Sequence, residues 1–254
     1  MNDPDRHAAA PVPAVPAPPA SPAPPAPPAP VEPVSPWSGS FDLALTGSEG
    51  NTDTQNFRTS VDAKHEDEDS VDSFSFWYRR NTTDNDATEA KTFAQYRHEW
   101  KLQDSKWGSF VQATRETDRF ADFDSRVGVA GGAAYRFSEG PVHAVKGRLG
   151  AGVSRKYGVD DPDVDETSYE ALLGLDWHWK ISEVSDFNLT TDLYPGINPS
   201  GEHRSVSKAA LTTKPDPDSA WFLKLGVDHF HDTQPGDGKK PNDWNYYVGF
   251  GRFF

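Results

Sequence analysis

Apolar and polar side chains alternate one by one along this chain from Trp37 to its last residue. Phe41, Leu43 and Leu45 share one face of a first segment. Phe57, Thr59, Val61 and Ala63 share one face of the next, with Arg58, Asp62 and Lys64 between them. Further along, Tyr169, Ala171, Leu173, Leu175, Trp177 and Trp179 alternate with Glu170, Asp176 and His178. Trp221, Leu223, Leu225 and Val227 alternate with Lys224 and Asp228. Successive strand side chains point to opposite faces, so each run reads as a strand with one apolar and one charged face. The pattern predicts about twelve strands, over 38–47, 55–66, 71–80, 88–101, 107–116, 123–137, 142–156, 167–180, 186–194, 203–213, 219–230 and 244–254. The run 203–213 fits either parity.

Two architectures accommodate such strands. A soluble β-sandwich turns the apolar face inward and the charged face to water. A membrane barrel turns the apolar face to lipid and encloses the charged one. Aromatics recur near strand ends, at Trp37, Trp100, Trp107, Trp177, Trp179, Trp221, Trp244 and Tyr246, where interfacial girdles place them. Connections alternate as well. SEGNTD, NTTDNDA, ETDRFAD, GVDDPDVDE, PGINPSGE and HDTQPGDGKKPND read as longer polar loops, whereas EDED, QDSK, SEGP, ISEVS and KPDPD are generally shorter. Short turns on one side and long loops on the other suit an outer-membrane barrel. The expected fold is all-β: a transmembrane, antiparallel, up-and-down β-barrel of about twelve strands, with both chain ends on the periplasmic side. The secreted sandwich is the alternative.

The last strand, WNYYVGFGRFF, places Tyr246, Val248, Phe250 and Phe254 on one face. A terminal Phe behind alternating apolar residues resembles the assembly signal of bacterial outer-membrane barrels. Arg252 departs from it, standing where another apolar residue is usual.

Composition adjusts this picture. The chain has 254 residues, 35% hydrophobic and 12% aromatic, with a net charge of −14 and no cysteine. There is therefore no disulfide framework and no thiolate metal site. The acidic balance argues against nucleic acid as a partner. No apolar run reaches the roughly 18 residues of a spanning helix, but a spanning strand needs only about 9–11 alternating ones. Residues 1–36 have a different texture, mostly Pro, Ala and Val, as in PAPPASPAPPAPPAP. Such a stretch reads as a disordered polyproline II tether, so the barrel domain is expected over 37–254. No basic region followed by an apolar stretch opens the chain, so an export signal is expected to be absent from this sequence.

Two stretches resemble a known family. WSGSFDLALTGSEGNTDTQNF, at 37–57, has a Trp-x-Gly pair, an alternating strand and a Gly50-Asn51-Thr52 turn. TRETDRFADFDSRVGVAGGAAYRF, at 114–137, has an Asp-Arg-Phe turn and a Tyr-Arg-Phe end. Both are similar to the salt-induced outer-membrane protein family, a bacterial domain of unknown function. The resemblance covers about residues 37–254 and implies an exported outer-membrane barrel. It implies no established activity.

Candidate chemistry follows from the inward parity. Arg97, Arg126, Lys146, Arg148 and Lys224 face Glu99, Asp124, Glu170, Asp176, Asp192 and Asp228, with His178 among them. Mixed charges in a lumen imply cross-strand ion pairs. They would either plug the interior or line a narrow passage for small ions or polar solutes. Trp100, Trp107, Trp177, Trp179, Trp221, Trp244, Tyr246 and Phe254 are expected at the membrane interfaces, against outer-membrane lipid and lipopolysaccharide. The terminal strand would be read by the barrel-assembly machinery. Gly128, Gly131, Gly132, Gly147, Gly150 and Gly152 mark curvature or free room beside one wall. Asp161, Asp163 and Asp165 alternate as a weak calcium ligand set would, but lack the turn glycine and closing Glu, and a solvated acidic loop explains them better. His229 and His231 could chelate a metal or stand as plain interfacial histidines. No Gly-x-Ser-x-Gly elbow and no phosphate-cradling glycine loop occurs. No cofactor is expected, and the function expected is non-enzymatic, with a lipid-modifying enzyme as the alternative.

Overall fold

The computed structural model describes residues 37–48, 50, 53–121, 123–159, 167–198, 200–235 and 240–254. The Pro/Ala segment and the acidic loop with Asp161, Asp163 and Asp165 lie outside them. Twelve strands run β1 (Trp37–Ser48), β2 (Thr54–Glu66), β3 (Ser70–Thr83), β4 (Asp86–Lys101), β5 (Trp107–Asp118), β6 (Ser125–Glu139), β7 (His143–Tyr157), β8 (Thr167–Lys180), β9 (Ser185–Asn198), β10 (His203–Thr213), β11 (Trp221–Asp232) and β12 (Asn242–Phe253). Each pairs antiparallel with its sequence neighbours, and β12 returns to β1, closing the barrel. Closure removes the open edges that lipid cannot solvate.

The facing decides the architecture. Leu45 is 75% exposed while Asp42, on the opposite face of the same strand, is 0% exposed. Leu173 is exposed while Leu172 and Glu170 are buried. An outer surface of Phe, Leu, Val and Tyr around an interior of Arg, Lys, Asp and Glu is the inverse of a water-soluble protein. The sandwich alternative is thereby overturned, and the barrel is a membrane-spanning one. Trp37, Trp100, Trp107, Trp177, Trp179, Trp221 and Phe254 ring the end where β1 begins and β12 ends, here the terminus end of the barrel, and Trp244 and Tyr246 stand toward the far end. Arg252 points outward and lays its guanidinium over the Trp221 ring, 5.7 Å from the centroid. That contact at the girdle explains a cation where an apolar residue was expected.

The loop pattern holds only in part. β3 and β4 are joined by Asp84 and Asn85 alone, both at positive φ (50° and 70°), a tight hairpin rather than a long loop. Such φ values match the twist of the flanking strands, and Asp and Asn tolerate them. At the terminus end, Asp67 caps the β2–β3 turn by accepting the backbone N–H of Ser70 at 2.6 Å and of Asp69 at 3.0 Å. Those bonds, Ser70's first, hold its carboxyl below the usual range.

The β1–β12 seam is short. Its ladder runs from Ser40↔Phe253 to Leu43↔Phe250, extended by mutual backbone hydrogen bonds between Gly39 and Phe254 at 3.1 and 3.0 Å. The Phe254 ring lies over Gly39, where any Cβ would collide with it.

Candidate functional site: a charged lumen with an aromatic septum

The interior is built from inward positions of every strand, and its charges meet across it. At the terminus end, Arg148 is held between Asp176 and Asp192, with Nη2 at 2.7 Å from Asp192 Oδ1. Arg97 donates to the same Asp176 at 3.0 Å and to Gln112 at 2.9 Å. Lys146 reaches from β7 to Glu99 on β4, 2.7 Å away. Gly174 leaves the room this needs, since a Cβ there would stand 2.7 Å from both Arg148 and Asp192.

Beside the seam, Asp42 accepts from Ser60, from Lys224 at 3.2 Å and from Arg58 at 3.5 Å. Arg58 also binds Asp228 at 3.1 Å and lies 3.9 Å over the Tyr247 ring. Toward the far end, Arg204 grips Glu170 with two bonds of 2.9 Å and stacks on Tyr194 at 3.7 Å. There Lys91 pairs with Glu116 at 2.9 Å, and Arg126 with Asp232 at 2.7 Å. A charge enclosed by a barrel is stable only when so partnered.

Between the two charged layers lie apolar rings. Trp77 stacks on Phe93 at 5.9 Å and tilts on Phe230 at 5.3 Å, with Val206 packed against them. Phe110, Leu172 and Tyr194 fill the space beside Ala130 and Ala134. The small residues of β6 and β7 thus make room in the lumen, and those side chains occupy it. Below this septum, cavities of about 520, 470 and 450 Å³ cluster around Thr190, which borders all three, as a lower vestibule. Above it, a cavity of about 320 Å³ is lined by Lys91, Glu116, Arg126 and Asp232. Val206 borders both the upper cavity and the largest lower one.

Of the lumen residues expected from sequence, Arg97, Glu99, Arg126, Lys146, Arg148, Glu170, Asp176, Asp192, Lys224 and Asp228 all point inward and are ion-paired. His178 lines the mouth of the lower vestibule, 2.9 Å from Asn188. Asp124 is a correction: it precedes β6 at the far rim and is exposed, because the strand begins at Ser125, two residues later than the expected 123. Sequence reading missed Arg204, Lys91, Glu116 and Asp42, as well as Trp77, Phe93 and Phe230. Arg204 was lost with the ambiguous parity of β10. The aromatics were lost because a charged lumen was expected to be charged throughout.

The family described as Protein of unknown function, DUF481, matches residues 41–254. The chain belongs to the DUF481 family. The match takes in nearly the whole DUF481 barrel, from Phe41 in β1 to the last residue. That family description states no activity and does not mention salt induction. Among solved structures, this DUF481 chain is similar to the NanC porin, with 15% identity, 86% of this chain and 99% of that chain covered, and a TM-score of 0.49. It is similar to an outer membrane channel from Pseudomonas putida F1, at 10% identity, 88% and 97% coverage and a TM-score of 0.48. It is similar also to the KdgM porin in complex with disordered oligogalacturonate, at 11% identity, 85% and 99% coverage and a TM-score of 0.45. No curated protein matches it.

Proposed function

We propose that this DUF481 protein sits in the bacterial outer membrane and acts, without catalysis, as a narrow route for small ions or polar solutes. The observation that carries this reading is the pair of charged vestibules that approach from opposite ends and share Val206 as a wall. The barrier between them is made of side chains, which rotamer changes can open, rather than of an inserted element among the described residues. In this reading the terminus end faces the periplasm, the outward face meets lipid and lipopolysaccharide, and the barrel-assembly machinery reads β12. Planar-bilayer recording on the pure protein tests it. Small discrete steps are expected, and larger ones from a Val206→Ala/Phe93→Ala variant. No steps from either protein at any voltage would overturn the channel reading.

A second reading is a closed structural barrel serving under salt or osmotic stress. Ion pairs joining strands that are not neighbours favour it: Lys146 to Glu99, Arg58 to Asp228 and Arg126 to Asp232. These brace the wall across the lumen, and silence of both proteins in the bilayer would support it.

A further inference from the structure

The outward face of the far rim carries three histidines on two adjacent strands. His203 opens β10, and His229 and His231 lie near the end of β11. In the β11–β12 register, His231 stands opposite Asn242 and His229 opposite Trp244. The Asn242 carboxamide oxygen lies 3.0 Å from His231 Nδ1 and 3.0 Å from His229 Nε2. A carboxamide oxygen only accepts, so both ring nitrogens carry their proton toward it. This leaves the lone pair of His231 on Nε2, where it accepts a hydrogen bond of 3.1 Å from His203 Nε2–H in the metal-free barrel.

We propose that His203 and His231 form a site for a divalent transition-metal ion of the copper or zinc class. Ring nitrogens bind such ions at about 2.0–2.1 Å, so two adjacent ligands stand about 2.9–3.4 Å apart. The Nε2 separation falls within that window. The outer shell is also in place. A metal-binding imidazole characteristically donates its other N–H to a fixed oxygen, which sets tautomer and ring orientation. Asn242 does this for His231. His203 is pinned through its backbone, donating to Thr233 Oγ1 at 2.9 Å and accepting the Thr233 N–H at 3.1 Å.

The sequence had offered His229 and His231 as the pair, spaced i, i+2. Cross-strand pairing replaces His229 by His203, because Asn242 engages the Nε2 of His229. Among the described residues no group of three His, Cys, Asp or Glu side chains converges. Two imidazoles therefore hold the ion and water completes its shell. Copper(II) is expected to bind most tightly of the common divalent ions.

Copper(II) titration of the full chain in detergent, read by electron paramagnetic resonance, tests the site. One copper per barrel with nitrogen couplings is expected, displaced by excess zinc. His203→Ala and His231→Ala should each weaken binding at least tenfold, and the double variant should abolish it. Asn242→Ala, a positioning change, should weaken it by roughly 10–100-fold. His65→Ala and His143→Ala, at the other end of the barrel, should leave it unchanged. Folding is checked by the heat-dependent gel mobility of a closed barrel, and if the double variant does not fold, His203→Gln decides. No nitrogen-coupled copper in the wild type, or full affinity retained in a folded His203 variant, would overturn the proposal.

Discussion

Arg148 shows how a charge survives inside this wall. Its side chain is 0% exposed and touches two carboxylates. Arg148→Met would leave Asp176 and Asp192 enclosed with less compensation. Removing one partner of a buried pair costs about 3–5 kcal/mol, so urea unfolding in detergent should show a loss of that order. Lys64 and Glu66 are the contrast, with side chains 53% and 47% exposed. Exposed pairs are worth about 0–1 kcal/mol, so Lys64→Ala should move the same transition little. Gly174→Ala adds one methyl and should destabilise more than that surface change, because the methyl would enter the Arg148–Asp192 pair.

Single strands carry further consequences. β12 closes the barrel through a ladder of four residue pairs plus the Gly39–Phe254 bonds. Gly39→Val would press a Cβ against the Asp62 carbonyl oxygen and the Phe254 ring, and the fraction of heat-modifiable, closed barrel recovered on refolding should fall. Arg252→Phe should leave that fraction unchanged or raise it, since Arg252 serves through the Trp221 ring rather than a lumen partner. In the β3–β4 hairpin, Asn85 holds φ at 70°. A β-branched residue at such an angle costs about 1–2 kcal/mol, so Asn85→Val should lower the unfolding midpoint while Asn85→Gly should not.

For the molecule as a whole, the lumen and the net charge separate. The chain carries −14, yet cations and carboxylates inside the barrel alternate closely and neutralise one another. An opened septum should therefore discriminate little between cation and anion. In a salt gradient across a bilayer, the Val206→Ala/Phe93→Ala variant should reverse near zero voltage. A strongly cation-selective reversal potential would mean that the ion pairs break when the septum opens.

Much of this was legible in the alternation alone. Period-two patterning marked about twelve strands and put residues such as Leu173 and Asp176 on opposite faces, because that depends only on which side of a strand a residue occupies; Trp at strand ends and an aromatic last residue favoured lipid for the apolar face and enclosure for the charged one. Strand spacing also marked ten of the ion-paired lumen residues. Partners across the lumen were not legible, since Arg58 and Asp228 are joined by closure and not by nearness in sequence. The septum was hidden for the same reason: Trp77 and Phe93 are register partners on β3 and β4, but Phe230, on β11, reaches them only when the sheet curls on itself. The sequence by itself determined which residues share a face of most strands. Only the tertiary structure decided which inward groups touch, because cross-lumen distances are set by the closure and curvature of the whole sheet.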